Sequence, residues 1–71
     1  MSGTSVEAVA IDAAYDERIH TLFVTLATNL GDMPISHLTE QQCVDRFTAG
    51  LNAAKKARQL AMTVVGATVP A

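Results

Sequence analysis

The sequence predicts an all-α protein in which two long helices form an antiparallel hairpin. Three observations support this: apolar residues recur every three or four positions in two segments, a break containing Gly31 and Pro34 separates the segments, and a capping motif opens the second. A chain of 71 residues makes one small domain at most, so residues 1–71 are expected to fold as a single unit.

The first segment predicts a helix over about residues 6–30. Thr4 and Glu7 have the spacing of a capping box, although Ser5 is an alternative N-cap. The segment around His20 would also suit a strand, but it lacks strict alternation and a second strand to pair with, so a helix is favoured. The residues that share one face of this helix are Ala8, Ile11, Tyr15, Ile19, Leu22, Leu26 and Leu30.

The break between the segments predicts a turn over residues 31–38. Gly31 can adopt the left-handed conformation that ends a helix, and Pro34 prevents the helix from continuing. We therefore expect the first helix to end at the glycine and the chain to reverse direction before the second helix begins.

The second segment predicts a helix over about residues 39–65, followed by a loose tail over residues 66–71. Thr39 and Gln42 have the spacing of a capping box, and Leu38 and Cys43 are spaced as a hydrophobic staple. Gly66 is expected to end the helix. This is the best-defined helix start in the sequence.

Gly50 leaves two interpretations of the second helix open. Because glycine in a helix interior costs about 1 kcal/mol relative to alanine, Gly50 can divide the segment into two shorter helices. Alternatively, the missing side chain permits close approach of the neighbouring helix. The apolar face continues in phase from Phe47 through Leu51 to Ala54, so one uninterrupted helix is favoured.

The short connection places the two helices side by side and antiparallel. In the expected register, facing residues have numbers that sum to about 73, so that Leu22 faces Leu51 and Tyr15 faces Arg58. One hairpin leaves apolar flanks uncovered, and two hairpins that cover these flanks would form a homodimeric four-helix bundle. The predicted protein interface comprises Val24, Phe47, Gly50, Leu51, Ala54, Ala57, Leu60, Ala61 and Val64.

Arg58 lies near the centre of the predicted apolar face, where an unpaired charge is costly to bury. Asp12, Asp16 and the ring of Tyr15 are within its reach in the expected register. We therefore predict that Arg58, Tyr15 and Asp12 form a buried polar cluster held by an ion pair or a stacking contact. The functional alternative is that Arg58 binds an anionic ligand.

Lys55, Lys56 and Arg58 are the candidate contacts for nucleic acid, because a dimer would duplicate this basic cluster. The formal net charge of −2 and the lack of aromatic residues in the basic segment argue against that function. A helix-turn-helix alignment centred on Gly50 also fails, since it would bury Arg46 and Lys56.

No catalytic, cofactor or metal site is predicted, and the chain is not expected to be an enzyme. Cys43, His37 and His20 lack the spacing of a tetrahedral metal site within one chain, and Cys43 has no base beside it. Glu17 and His20 match the Glu-x-x-His string of metal-binding bundles, but both point away from the apolar face.

The sequence thus predicts a small non-catalytic protein-interaction or regulatory module. Its expected partners are a second copy of itself and another protein, for which it would serve as an accessory subunit. The N-terminal segment lacks the features of a signal peptide and no apolar run is long enough to span a bilayer, so no membrane association is expected and a cytoplasmic location is predicted.

Overall fold

The computed structural model describes residues 5–66 of the chain, which form two long helices joined by a short one. The helices are α1 (Val6–Gly31), α2 (Met33–Ser36) and α3 (Glu40–Val64). Helices α1 and α3 pack along each other, and this part of the chain contains no strand. The prediction of an all-α fold with two long packed helices is confirmed.

Side-chain caps define where the two long helices begin. The Ser5 hydroxyl accepts a hydrogen bond of 3.0 Å from the backbone N–H of Ala8, so Ser5 is the N-cap of α1. Ser5 is the alternative to a capping box at Thr4, and Thr4 lies outside the described residues. At α3 the predicted capping box is present: the Thr39 hydroxyl accepts from the Gln42 backbone N–H at 3.0 Å, and Gln42 Oε1 accepts from the Thr39 N–H at 2.9 Å.

The connection differs from the glycine-capped turn that the sequence suggests. Gly31 stays within α1 and does not have a positive φ, and the left-handed residue is His37, with φ 62° at the end of α2. Pro34 lies in the first turn of α2, where its missing N–H needs no intrahelical partner. The Asp32 carbonyl accepts from the N–H groups of Ile35 and Ser36, at 2.9 and 2.8 Å. The chain therefore reverses through a short extra helix, whose hydrogen bonds replace those of a glycine cap.

The end of α3 has the glycine conformation that the sequence predicts. Val65 follows the last helical residue, and Gly66 has φ 76°, the left-handed conformation that glycine adopts at low cost. Residues 67–71 of the predicted tail lie outside the described residues.

Gly50 lies inside the uninterrupted helix α3, at a close contact with α1. A Cβ atom built on Gly50 would lie 2.5 Å from Cδ2 of Leu22, which is too close for two carbon atoms. Leu22 is only 8% exposed. The glycine thus lets the Leu22 side chain pack directly against the backbone of α3, and the interpretation in which Gly50 divides the helix is wrong.

The packed core of the hairpin is small. Among residues 5–66 the buried side chains are Ala8 and Leu22 on α1, and Cys43 and Met62 on α3. None of the helices in this part of the chain is both long and apolar enough to cross a membrane. A hairpin of two helices is one layer thick, so most side chains on it keep contact with solvent.

Candidate protein interface

Large apolar side chains remain exposed on both long helices. Within residues 5–66 there are nine of them: Val6, Val9, Phe23, Val24, Leu30, Ile35, Val44, Leu60 and Val64. Single exposed apolar residues are normal on a protein surface, but contiguous ones mark sites where another molecule binds. These nine exposed side chains are more than twice as numerous as the four buried side chains of the same part of the chain.

The predicted interface residues fall into two groups in the structure. The first group is half-buried within the hairpin: Phe47, Gly50, Leu51, Ala54 and Ala61. The second group is exposed: Val24, Ala57, Leu60 and Val64. Leu60 is 55% exposed and Val64 is 85% exposed. The second group, on the outer flanks of the two helices, is therefore the part available to a partner.

A shallow groove of about 210 Å³ runs between α1 and α3 on the flank that carries Ala57. Its lining is mostly small and apolar: Ile11, Ala14, Tyr15 and Arg18 from α1, and Ala54, Ala57, Arg58 and Ala61 from α3. Small side chains let the backbone of another helix approach closely. The sequence-based interface omits Ala14 and Arg18, although their four-residue spacing puts both on one flank of α1.

Arg58 bridges the two helices at the margin of this groove. Its Nε donates a hydrogen bond of 2.8 Å to Asp12 Oδ1, and its guanidinium carbon lies 5.5 Å from the centre of the Tyr15 ring. Both contacts are those that the antiparallel register makes reachable. The distances are those of a charge-assisted hydrogen bond and a cation–π contact.

The predicted burial of this polar cluster is not found in the single chain. The Arg58 side chain is 26% exposed and that of Asp12 is 52% exposed, while Tyr15 is half-buried. One layer of two helices cannot enclose these groups from all sides. An ion pair so accessible to water contributes about 0.2–1 kcal/mol.

The contact between Arg58 and Asp12 separates Arg58 from the two lysines of the basic cluster. Lys55 and Lys56 are exposed, whereas Arg58 is held by the Asp12 carboxylate. The three cations therefore do not act as one free patch in this conformation. Nucleic-acid binding through them stays a prediction that binding experiments must test.

The remaining candidate ligands and nucleophiles are scattered. In the part of the chain from residue 5 to 66, no group of three His, Cys, Asp or Glu side chains is placed to hold a metal ion. Cys43, in the first turn of α3, is a free thiol with 0% exposure. Glu17 and His20 are both exposed on α1.

The arrangement thus offers apolar flanks and a groove lined by small residues. No family model, curated protein or solved structure matches the chain.

Proposed function

We propose that this chain is a small non-catalytic protein-interaction module that works in the cytoplasm as a homodimer or as an accessory subunit of a larger complex. One observation carries the proposal. Two long helices enclose only four buried side chains, while nine large apolar side chains stay exposed within residues 5–66. A second layer of helices would cover part of this exposed apolar surface and enlarge the core.

The shape of the hairpin supports the same conclusion. Helices α1 and α3 pack side by side in one layer, which leaves an open face on each side of the pair. Two hairpins stacked through such a face would form a four-helix bundle.

An exposed leucine and an exposed valine on α3 would both be stabilised by burial against a partner. Full burial of a leucine or valine side chain contributes about 1.5–3 kcal/mol. Leu60 and Val64 are 55% and 85% exposed, so much of that contribution is unrealised in the single chain. They lie one helical turn apart, and one partner surface can cover both.

Light scattering over a range of concentrations tests the proposal, combined with thermal unfolding at each concentration. We expect a mass near twice 7.5 kDa, or a stoichiometric complex with a larger co-purified chain. The melting temperature should rise with concentration, because association stabilises the folded state. Leu60→Lys should weaken the assembly, whereas the matched change Asn52→Lys, at an exposed polar position of α3, should not.

A different result would refute the proposal. It is a stably folded monomer that co-purifies with no larger chain, whose melting temperature does not depend on concentration, and in which Leu60→Lys and Asn52→Lys behave alike. In such a protein the exposed flank with Leu60 and Val64 would not be a binding surface for another chain.

A further inference from the structure

The groove side of α1 carries a self-complementary pattern of residues. Glu7, Ile11, Ala14 and Arg18 follow one another at steps of four, three and four. The total turn from Glu7 to Arg18 is within about 20° of three complete helical turns, so both ends of the pattern lie on the same side of α1. Ile11, Ala14 and Arg18 line the groove. The steps of four, three and four residues are the same in either direction along α1. The pattern has a negative charge at one end and a positive charge at the other.

We propose that a second copy of the chain docks on this groove with its α1 antiparallel to the first α1. Glu7 of each copy then lies opposite the partner's Arg18, and Ala14 opposite the partner's Ile11. In a two-fold symmetric interface, each contact occurs twice. If one residue of the first copy contacts a second residue of the partner, the same second residue of the first copy contacts the first residue of the partner. The pattern satisfies this condition, because facing residues are equally far from its midpoint. This inference rests on the proposed function and specifies its partner.

The two charges at the ends of the pattern have no ion-pair partner within the hairpin. Both Glu7 and Arg18 are exposed, and the one ion pair between residues 5 and 66 joins Arg58 to Asp12. Antiparallel docking would pair all four end charges of the dimer in two symmetrical contacts. Complementary charges of this kind set the orientation and register of an interface.

Helix α3 contributes the rest of the surface on the same side. Arg58 contacts Asp12, which lies between Ile11 and Ala14, so the two-fold axis passes between the two hairpins at the level of Arg58 on α3. The α3 helices of the two copies then face each other through Ala57 and Ala61, which line the groove. The alanine side chains of the groove allow the layers to approach closely, towards the lower end of the range of about 8–10 Å for packed helices.

The register of the docking fixes how much of each hairpin the dimer covers. Docking centred between Ile11 and Ala14 overlaps only the first half of α1 with its counterpart. The half of the hairpin that carries Phe23, Val24 and Phe47 then stays outside the dimer contact, where it is free to meet a different protein.

Exchanging the charges at the two ends tests the inference. Glu7→Arg or Arg18→Glu alone places like charges opposite each other twice in the dimer. We expect each to raise the dimer dissociation constant about tenfold or more at low salt. The double variant Glu7→Arg/Arg18→Glu restores opposite charges and should dimerise like the original chain. An equal mixture of the two single variants should form a heterodimer, since every facing pair is then opposite in charge.

Two control variants make the same charge changes away from the groove. Glu17→Arg lies on α1 outside the groove lining, and Arg46→Glu lies on α3 in the half beyond the overlap. Both positions are exposed, and both variants should keep the dissociation constant of the original chain. Circular dichroism at the same concentrations shows whether each variant keeps its helical content.

Three results would overturn this inference. Single variants that dimerise as strongly as the controls would exclude the α1 contact but leave the proposed function in place. Weak single variants that neither rescue each other in a mixture nor recover in the double variant would show an effect on folding. A chain that stays monomeric at all concentrations would exclude the second copy, and the proposed function would then depend on an accessory-subunit role.

Discussion

Replacing Gly50 with alanine tests how closely α1 and α3 must pack. The new Cβ atom would lie 2.5 Å from Leu22 Cδ2 and 3.6 Å from its Cδ1 and Cγ atoms. Because Leu22 is only 8% exposed, its side chain must change rotamer against neighbouring atoms, or the helices must separate. Overpacking of this kind costs about 1–3 kcal/mol. The better helix propensity of alanine offsets about 1 kcal/mol of that cost.

The net effect of Gly50→Ala is therefore a loss of stability of up to about 2 kcal/mol. Gly31→Ala is the matched control, because a Cβ atom at Gly31 meets nothing within 4 Å. That residue is the last of α1, so the control should raise stability by up to about 1 kcal/mol. The two variants differ mainly in the contact with Leu22.

Urea unfolding followed by circular dichroism measures both variants. All samples are compared at one protein concentration, since association would itself shift the unfolding midpoint. In a Leu22→Ala background the Gly50→Ala change should become stabilising, because the leucine atoms that it meets are gone. A Gly50→Ala variant as stable as Gly31→Ala in the original background would refute the close contact.

Three further predictions concern the helix start, the ion pair and the basic cluster. Thr39→Ala should lower the free energy of unfolding by about 1 kcal/mol, because the capping box is lost, and an unchanged urea midpoint would contradict the role of Thr39 as the N-cap. A double-mutant cycle with Asp12→Asn and Arg58→Met should give a coupling energy below about 1 kcal/mol, and a complete loss of cooperative unfolding in Arg58→Met would refute the exposed position of the pair. Lys55→Glu/Lys56→Glu should leave the mass in light scattering unchanged, whereas a steeply salt-dependent affinity of the original chain for duplex DNA or RNA, lost in this variant, would favour the nucleic-acid alternative.

The local elements of this fold could be predicted because their causes lie close together in the sequence. The Thr39–Gln42 capping box spans one helical turn, and its two hydrogen bonds form once that turn is helical. The contact of Arg58 with Asp12 and Tyr15 could be predicted from the sequence, because a short connection allows only a narrow range of antiparallel registers.

The connection was harder to predict because several residues can supply a left-handed conformation. Glycine pays the least for a positive φ, so Gly31 was the natural candidate. In the structure, hydrogen bonds to the Asp32 carbonyl form a short helix around Pro34, and the reversal falls at His37 instead. Competition between a glycine cap and an extra helical turn depends on backbone geometry that residue type alone does not specify.

The sequence by itself determined the helices, the start of α3 and the antiparallel pairing, since periodicity, capping and chain length act over short distances. Only the tertiary structure decided that Leu22 packs on the bare backbone at Gly50, that the Arg58 pair stays accessible to water, and that Ala14 and Arg18 line a groove with α3. These features depend on the distance and rotation between two helices. Both are set by the sizes of side chains far apart in the sequence that meet only when the hairpin closes.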